Sequence, residues 1–340
     1  MQAGELGLAL VANMPEITLD RIGDESISNA HKNLKFLDRG LSLKDLRNVS
    51  LGKGDQAIVI AAGPSLHKTN VAHNLKLSGY NGAIVVPEST MLYCLRNEMI
   101  PDLVVTVDPH AKRIVRWFGD PDLTKSDLVA DDYFSRQDLD PAFADQRRVN
   151  EEIMELLQKY GKEMRIALST SASESVVKRV LDTGMEIYWW NPMYDDPDLP
   201  DSVTLKLHRL NRLPCLNAGG NVGSAAWAIA DSVLKKRRVA LIGMDFSYYE
   251  DTPYKNTQYY YEAVDLVGEN NLDAFFIRVY NPHLKQWFYT DPAYYWYKEV
   301  FLEMVTSADC LTYNCTEGGI LFGEGITFTP MINFLENSVS

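Results

Sequence analysis

The sequence predicts an α/β fold built on a doubly wound, mostly parallel sheet. Apolar, β-branched runs with the pattern of buried parallel strands lie over residues 57–62, 82–87, 103–107, 165–168, 186–190 and 239–243. Helix-length stretches over 66–78 and 89–98 separate the first three runs. Because successive parallel strands must be joined by crossover connections, this alternation of strands and helices is typical of a doubly wound sheet.

The composition fits a globular chain with one large domain or two modest ones. The 340 residues are 46% hydrophobic and 11% aromatic, enough to build a sizeable core. The 46 acidic residues outnumber the 33 basic ones and give a formal charge of -13, which repels nucleic acids and anionic membrane surfaces. A small anionic ligand is still compatible with this charge, because backbone dipoles can hold it locally.

The cysteine content and the hydropathy pattern favour a cytoplasmic protein. Four cysteines are too few for a disulfide scaffold, and they lack the paired spacing of a zinc or redox motif. The short apolar run over residues 6–11 has no basic residue before it, unlike a secretory signal, and no run approaches membrane-spanning length. We therefore expect no membrane anchor.

The chain divides into a helical N-terminal segment, 1–50, and a main domain, 51–330. A more polar stretch, 111–162, is a candidate insertion in the main domain. The aromatic-rich segment 248–300 suits a lid that stacks on a sugar or a base. It suits a homo-oligomer interface or plain core equally well.

The first candidate ligand-binding segment is Gly63-Pro64-Ser65, directly after the strand 57–62. Glycine permits close backbone approach, and the serine could cap the helix that follows. Such a turn offers backbone N–H groups and a positive dipole end to a phosphate. The segment is neither a Walker loop nor a G-x-G-x-x-G fingerprint, and a well-capped helix has the same pattern.

A second glycine-rich segment opens the alanine-rich helix predicted over 222–234. It contains Asn217, Gly219, Gly220, Asn221 and Ser224. Small residues there would let a ligand lie against bare backbone at a helix N-terminus. Close packing of this helix on the sheet would require the same residues.

Two acidic residues follow predicted strands. Asp108 comes after the strand 103–107, and Asp245 comes after 239–243. Open α/β sheets bind their ligands at the carboxyl ends of the strands, so both carboxylates could flank one crevice. There they could bind a ribose hydroxyl, hold Mg²⁺ or act as a base. Asp108 could instead cap the turn that follows it.

An ordered set of motifs resembles a known group of proteins. Gly63-Pro64-Ser65-Leu66, the stretch 100–109 and the stretch 219–245 together resemble the domain shared by motility accessory factor (Maf) flagellin glycosyltransferases and archaeal 6-hydroxymethylpterin diphosphokinase-like proteins. The T-E-G-G segment over 316–319 resembles its Maf counterpart. A more distant similarity connects the G-P-S-L turn and the G-x-D-F strand end to bacterial sialyltransferases that use CMP-sialic acid.

The resemblance implies a Rossmann-like, nucleotide-binding transferase. One implied reaction is glycosyl transfer from a nucleotide-activated sugar, with a CMP-linked nonulosonic acid as the suspected donor and a protein or glycan as the acceptor. The glycine segments around Gly63 and Gly219 would then hold the nucleotide phosphate. The sialyltransferase-like enzymes use a histidine base, and the comparable zone here, 281–291, contains His283, offset from the family position.

Two other functions remain open. ATP-dependent diphosphoryl transfer to a hydroxymethylpterin would use the same glycine segments, with Mg²⁺ on Asp108 or Asp245. A non-catalytic accessory protein would bind the nucleotide without chemistry. The residues predicted to bind the ligand are Gly63, Pro64, Ser65, Ser89, Asn217, Gly219, Gly220, Asn221, Ser224, Tyr248 and Glu317. The candidate catalytic groups are Asp108, Asp245 and His283.

Overall fold

A computed structural model describes residues 3–130 and 145–336 of the protein. Within these ranges, ten strands pair in parallel to form one sheet, and three more form a small antiparallel sheet. In chain order the strands are β1 (Leu41–Ser42), β2 (Gln56–Ile60), β3 (Ala83–Pro87), β4 (Leu103–Thr106), β5 (Arg165–Ser169), β6 (Glu186–Met193), β7 (Cys215–Asn217), β8 (Arg238–Ile242), β9 (Tyr248–Tyr249), β10 (Ile277–Asn281), β11 (Gln286–Thr290), β12 (Leu311–Asn314) and β13 (Ile326–Phe328). All six predicted strands are present.

The strand order confirms the predicted doubly wound, Rossmann-like α/β fold. It runs β1-β6-β5-β4-β3-β2-β8-β12-β13, with β7 paired to β6. Strands β2 to β6 follow one another in one direction, while β8 and β12 lie on the other side of β2. The order therefore reverses between β2 and β8, where Ile60 is in register with Ile242. Open α/β sheets bind ligands beyond the carboxyl ends of the strands at such a reversal.

Helices cover both faces of the large sheet. The α-helices are Glu5–Val11, Met14–Asn33, Val71–Ser78, Glu88–Arg96, Ala111–Arg116, Lys125–Ala130, Gln146–Tyr160, Glu174–Thr183, Val203–Asn211, Val222–Ser232, Tyr260–Val267, Leu272–Phe275, Pro292–Thr306 and Met331–Glu336. Short 3₁₀ turns occur at Leu34–Arg39, Leu43–Asn48, Pro64–His67, Gly161–Glu163, Tyr254–Asn256 and Glu269–Asn271. In the part of the chain that the structure describes, no helix is both long and apolar enough to cross a lipid bilayer.

The central strands are continuously apolar because both of their faces are buried. Ile58 and Ile60 of β2 point into the core on one side of the sheet, and Ala57 and Val59 point into the core on the other. The helix Val222–Ser232 packs on the second side, where its alanines allow close approach. In the sequence these strands therefore appear as continuous apolar runs, without the alternation of apolar and polar residues that a half-exposed strand shows.

The segments 111–162 and 248–300, predicted as an insertion and a lid, differ in structure. The described part of 111–162 connects β4 to β5, and its helix Gln146–Tyr160 buries Val149, Ile153 and Leu157 in the main core. Residues 131–144 of this candidate insertion lie outside the described residues. The aromatic-rich segment 248–300 contains the antiparallel sheet, in the order β10-β11-β9, and packs around a cluster of its own aromatic side chains.

The N-terminal helix Met14–Asn33 is fixed to the carboxyl edge of the sheet by two asparagines one turn apart. The Asn29 amide donates to the carbonyls of Pro109 and Ser171, at 3.1 and 3.0 Å. The Asn33 amide donates to the carbonyls of Thr170 and Ala172, at 2.9 and 2.6 Å. These contacts position the helix over the loops that follow β4 and β5.

Replacing Asn33 with alanine should loosen this helix from the sheet. The change removes the amide donor of two carbonyls on buried residues, which we expect to lower the free energy of unfolding by about 1–3 kcal/mol. Urea unfolding measures this loss, and hydrogen exchange over residues 14–33 should become faster. Ser28→Ala, an exposed change on the same helix, is the control. Equal stability of the two variants would contradict the role assigned to Asn33.

Candidate functional site

A cavity of about 410 Å³ lies at the carboxyl edge of the sheet, where the strand order reverses. Its walls come from the loops after β2, β3, β4 and β8, the helix Met14–Asn33, the start of the helix Val222–Ser232 and the aromatic-rich segment. The predicted site residues that line it are Gly63, Pro64, Ser89, Asp108, Gly220, Asn221, Asp245 and Tyr248. The fold thus brings residues of both glycine segments and both predicted acids to one cavity.

Asp245 joins the loop after β8 to the loop after β2. The Ser65 hydroxyl donates to its Oδ2 at 2.7 Å, and the Ser65 backbone N–H donates to its Oδ1 at 3.2 Å. Burial raises the pKa of Asp245 to about 7, although the Ser65 hydrogen bonds and the Lys68 charge pull it down. A Cβ at Gly63 would collide with the Asp245 carboxylate, so the glycine is needed for this contact.

The prediction that Ser65 caps a helix is wrong. Pro64–His67 is a four-residue 3₁₀ turn, and the α-helix begins at Val71. The N-cap position of that helix is occupied by Asn70, and both Ser65 donors are directed to Asp245. In this arrangement Ser65 holds the loop in place, and its N–H is not offered to a phosphate.

The second glycine segment is closed by its own side chains. Asn221 Oδ1 accepts from the Ser224 N–H at 2.9 Å, and the Asn221 amide donates to Ser224 Oγ and to the Gly219 carbonyl. Gly220 has φ +76°, and a Cβ there would lie 2.7 Å from the Tyr297 ring. Gly220 and Asn221 line the cavity, whereas Ser224 is buried as part of the helix cap. Asn217 accepts from the Gly219 N–H.

Asp108 adopts the turn-capping geometry that was its alternative interpretation. Its Oδ1 accepts from the His110 N–H at 2.7 Å, and His110 Nδ1 in turn caps the helix Ala111–Arg116. The Asp108 side chain is nevertheless exposed and lines the cavity. It therefore remains within reach of a bound ligand.

The two predicted metal ligands already accept hydrogen bonds from the protein. Both oxygens of Asp245 accept hydrogen bonds from Ser65, and one oxygen of Asp108 accepts from His110. Among residues 3–130 and 145–336, no group of three or more His, Cys, Asp or Glu side chains could hold a metal ion. Since Mg²⁺ is usually bound by one or two carboxylates together with substrate phosphates and waters, this finding argues against a metal site made of protein side chains alone, and not against Mg²⁺ that enters with a nucleotide.

Six predicted residues do not line this cavity: Ser65, Asn217, Gly219, Ser224, His283 and Glu317. His283 is exposed on the turn between β10 and β11, and its ring stacks on Phe328 at a centroid distance of 4.7 Å. Glu317 accepts from the Met331 N–H at the start of the last helix. The two glycines that follow Glu317 do contact a residue of the cavity wall, because Gly318 and Gly319 pack directly against Asp245.

The sequence analysis missed Glu88, which lines the cavity beside Ser89. Glu88 begins the helix after β3 and is only 4% exposed. Burial, assisted by the charge of Asp108, raises its pKa to about 8. The available signal was an acidic residue directly after a buried strand, as at Asp108 and Asp245. The N-terminal helix Met14–Asn33 also lines the cavity, with Thr18, Arg21 and Glu25, a role that the sequence did not predict.

A second cavity of about 230 Å³ adjoins the first. The two share Thr18, Ile22, Val107 and Gly220 as lining residues. The remaining walls of the smaller cavity are mostly apolar and include Trp296. Asn217 is one of the polar residues that line it. The site is therefore a cleft with two chambers.

The fold and the cleft define a Rossmann-like α/β protein with a cavity at the strand reversal. Residues 28–122 match the family model described as 6-hydroxymethylpterin diphosphokinase MptE-like. The structure of the MAf glycosyltransferase from Magnetospirillum magneticum AMB-1 is similar over 94% of this chain, with a TM-score of 0.52 and 13% sequence identity. Together these findings confirm the predicted resemblance to the Maf and MptE-like proteins.

Each match covers only part of one of the two partners compared. This chain covers 41% of the Magnetospirillum protein, and at 13% identity the likeness concerns the fold. The family model covers β2, β3 and β4 with the loops that follow them, and so includes Gly63, Ser89 and Asp108. No curated protein matches the sequence.

The Ser65 to Asp245 contact predicts a pH-dependent effect of Ser65→Ala. The folded-state pKa of Asp245 is raised from 3.8 to about 7, so its ionisation weakens the fold as the pH rises between these values. Ser65 favours the ionised form, so removing its hydroxyl should raise this pKa further. We expect a loss of about 1–3 kcal/mol in the free energy of unfolding that is larger at pH 8 than at pH 5.

Ser247→Ala is the matched control for this pH dependence. The buried Ser247 hydroxyl donates to the backbone carbonyl of Asp245 at 3.3 Å and does not touch its carboxylate. Its loss should lower stability by a similar amount at both pH values. A Ser65→Ala effect that is equally independent of pH would contradict the interaction described here.

Proposed function

We propose that the protein is a glycosyltransferase that moves a sugar from a nucleotide-activated donor to an acceptor hydroxyl. The observation that carries this proposal is the cleft at the strand reversal, bordered by the loops after β2 and β8 and by the glycine segment before Val222–Ser232. Open α/β sheets bind nucleotides at this place. The similarity in fold to a Maf glycosyltransferase supports the same reaction class, and a CMP-linked nonulosonic acid is the donor that we favour.

The size and walls of the cleft suit a nucleotide sugar. The larger cavity, about 410 Å³, falls within the usual range of about 300–1,000 Å³ for small-molecule sites. Tyr259 and Tyr297 contribute aromatic surface on which a base could stack. The adjoining chamber, with Trp296 in its wall, would accommodate the sugar or the acceptor.

The charge of the cavity is compatible with an anionic donor. Arg21 and Arg113 line it, together with four carboxyl groups, those of Glu25, Glu88, Asp108 and Asp245. Since burial raises the pKa of Glu88 to about 8 and that of Asp245 to about 7, these two groups are largely or partly protonated at neutral pH. The cavity therefore carries less negative charge than its composition implies.

A diphosphokinase acting on a hydroxymethylpterin is the second candidate. The family-model match over residues 28–122 favours it, because that segment supplies three loops of the cavity. Such an enzyme needs Mg²⁺ together with ATP, and the carboxylates of the described residues do not by themselves form a cation site. Mg²⁺ dependence therefore separates the two candidates.

A thermal-shift panel with CMP, CDP, UDP, GDP and ATP, each with and without Mg²⁺, tests the proposal. A ligand present at about 100 times its Kd stabilises the native state by about 2.7 kcal/mol. We expect CMP to raise the Tm without Mg²⁺. Ser89→Tyr, which places a ring in the cavity, should abolish the shift, whereas Ser50→Tyr at an exposed position outside the cavity should preserve it.

Each other outcome favours a different function. Stabilisation by ATP only when Mg²⁺ is present would support the diphosphokinase. A strong CMP shift without release of CMP from a CMP-linked nonulosonic acid would indicate a non-catalytic accessory protein. No shift with any of the five nucleotides would refute nucleotide binding in the cleft.

A further inference from the structure

Glu88 differs from the other buried carboxyl groups near the cleft. Asp245 is held by Ser65, and Asp291 accepts from the Tyr294 N–H at 2.8 Å and from the Tyr248 hydroxyl at 3.4 Å. Glu88 Oε2 is buried and has no hydrogen-bond partner among the described residues. The structure therefore gives this oxygen no role in holding the fold together.

Glu88 lies in the wall of the cleft beside other polar residues. It follows β3, whose last residue, Pro87, pairs with Val105 of β4. Its neighbours in the cavity wall are thus Ser89 on its own helix and Asp108 after β4. An unsatisfied buried polar group costs about 1–3 kcal/mol, and a ligand in the cavity could supply the partner that Glu88 Oε2 lacks.

We propose that Glu88 is the general base of the transfer reaction, an inference that rests on the proposed glycosyltransferase function. The acceptor hydroxyl gives its proton to the Glu88 carboxylate while the hydroxyl oxygen forms a bond to the anomeric carbon of the donor. The bond between that carbon and the phosphate oxygen breaks, and the nucleotide leaves with the electron pair. Glu88 then releases the proton to solvent. His283, the residue predicted for this role, lies outside the cavity.

The ionisation of Glu88 suits this task. A general base works best when its pKa lies near the pH of the solution. The pKa of Glu88, about 8, is close to neutral pH. The charged and titratable groups in the same wall are Arg21, Glu25, Asp108, His110, Arg113 and Asp245, with the tyrosines Tyr248, Tyr259, Tyr294 and Tyr297. Because the ionised form is the base, the rate should rise with pH up to about 8 and then level off.

Glu88→Gln is the decisive variant, assayed in the full chain by release of CMP from CMP-N-acetylneuraminic acid, with water or a saccharide as acceptor. The amide keeps the shape but cannot take a proton, so kcat should fall by about 10²- to 10⁴-fold. The CMP thermal shift should stay unchanged, and the rise in rate toward pH 8 should disappear. Glu88→Asp should restore part of the rate and the pH dependence.

A control and a second measurement separate catalysis from folding. Glu151→Gln changes an exposed carboxylate on the helix Gln146–Tyr160, outside the cavity, and should keep the wild-type rate. Glu88→Gln should fold, because Glu88 Oε2 has no hydrogen-bond partner among the described residues and the amide keeps the shape of the side chain. The pKa of Glu88 is raised from 4.5 to about 8 by folding, so ionisation of Glu88 destabilises the folded wild type. As the pH rises from 4.5 to 8, the free energy of unfolding of the wild type should therefore fall relative to that of Glu88→Gln.

The outcomes distinguish this inference from the function on which it rests. Wild-type protein that binds CMP but releases none from the donor would refute glycosyl transfer, and the role of Glu88 with it. Wild-type turnover that persists in Glu88→Gln, with the same pH profile, would leave glycosyl transfer standing and overturn the assignment of Glu88 alone.

Discussion

The contact between Ser65 and Asp245 holds together the part of the molecule on which the cleft depends. It joins the loop after β2 to the loop after β8, at the point where the strand order reverses. Gly63 lies against the same carboxylate from one side, and Gly318 and Gly319 lie against Asp245 from another. Three segments that are far apart in the sequence thus meet at one buried residue.

This arrangement gives the sequence motifs a common physical cause. The G-P-S-L turn, the G-x-D-F strand end and the T-E-G-G segment each contribute to the packing around Asp245. A side chain at Gly63 or Gly319 would overlap with atoms of Asp245, so these glycines are required before any ligand is considered. The motifs are therefore needed to form the cleft. Neighbouring residues that line it, such as Ser89 and Gly220, are the ones placed to contact a ligand.

The sequence predicted the sheet well because its central strands are buried on both faces and appear as uninterrupted apolar runs. It also predicted two of the acids at the strand ends, Asp108 and Asp245, because ligands bind at the carboxyl edge of such a sheet, but it missed Glu88. It could not show that Ser65 would bond to a residue 180 positions away, in place of capping a local helix. The role of the N-terminal helix was hidden for the same reason, because Asn29 and Asn33 bind backbone carbonyls that carry no sequence signal.

The two buried carboxyl groups in the cavity wall, Glu88 and Asp245, differ in their hydrogen bonding. Loss of water raises the pKa of both, but Asp245 receives two hydrogen bonds from Ser65 that stabilise its charge, whereas Glu88 Oε2 receives none from the described residues. A carboxylate whose oxygens are both engaged is suited to hold loops together, and one with a free oxygen is suited to exchange a proton. Protonation of Glu88 near neutral pH also lowers the negative charge that a phosphate meets on entry. The formal charge of -13 is therefore compatible with an anionic ligand, since desolvation keeps two of the four carboxyl groups in the cavity wall partly neutral.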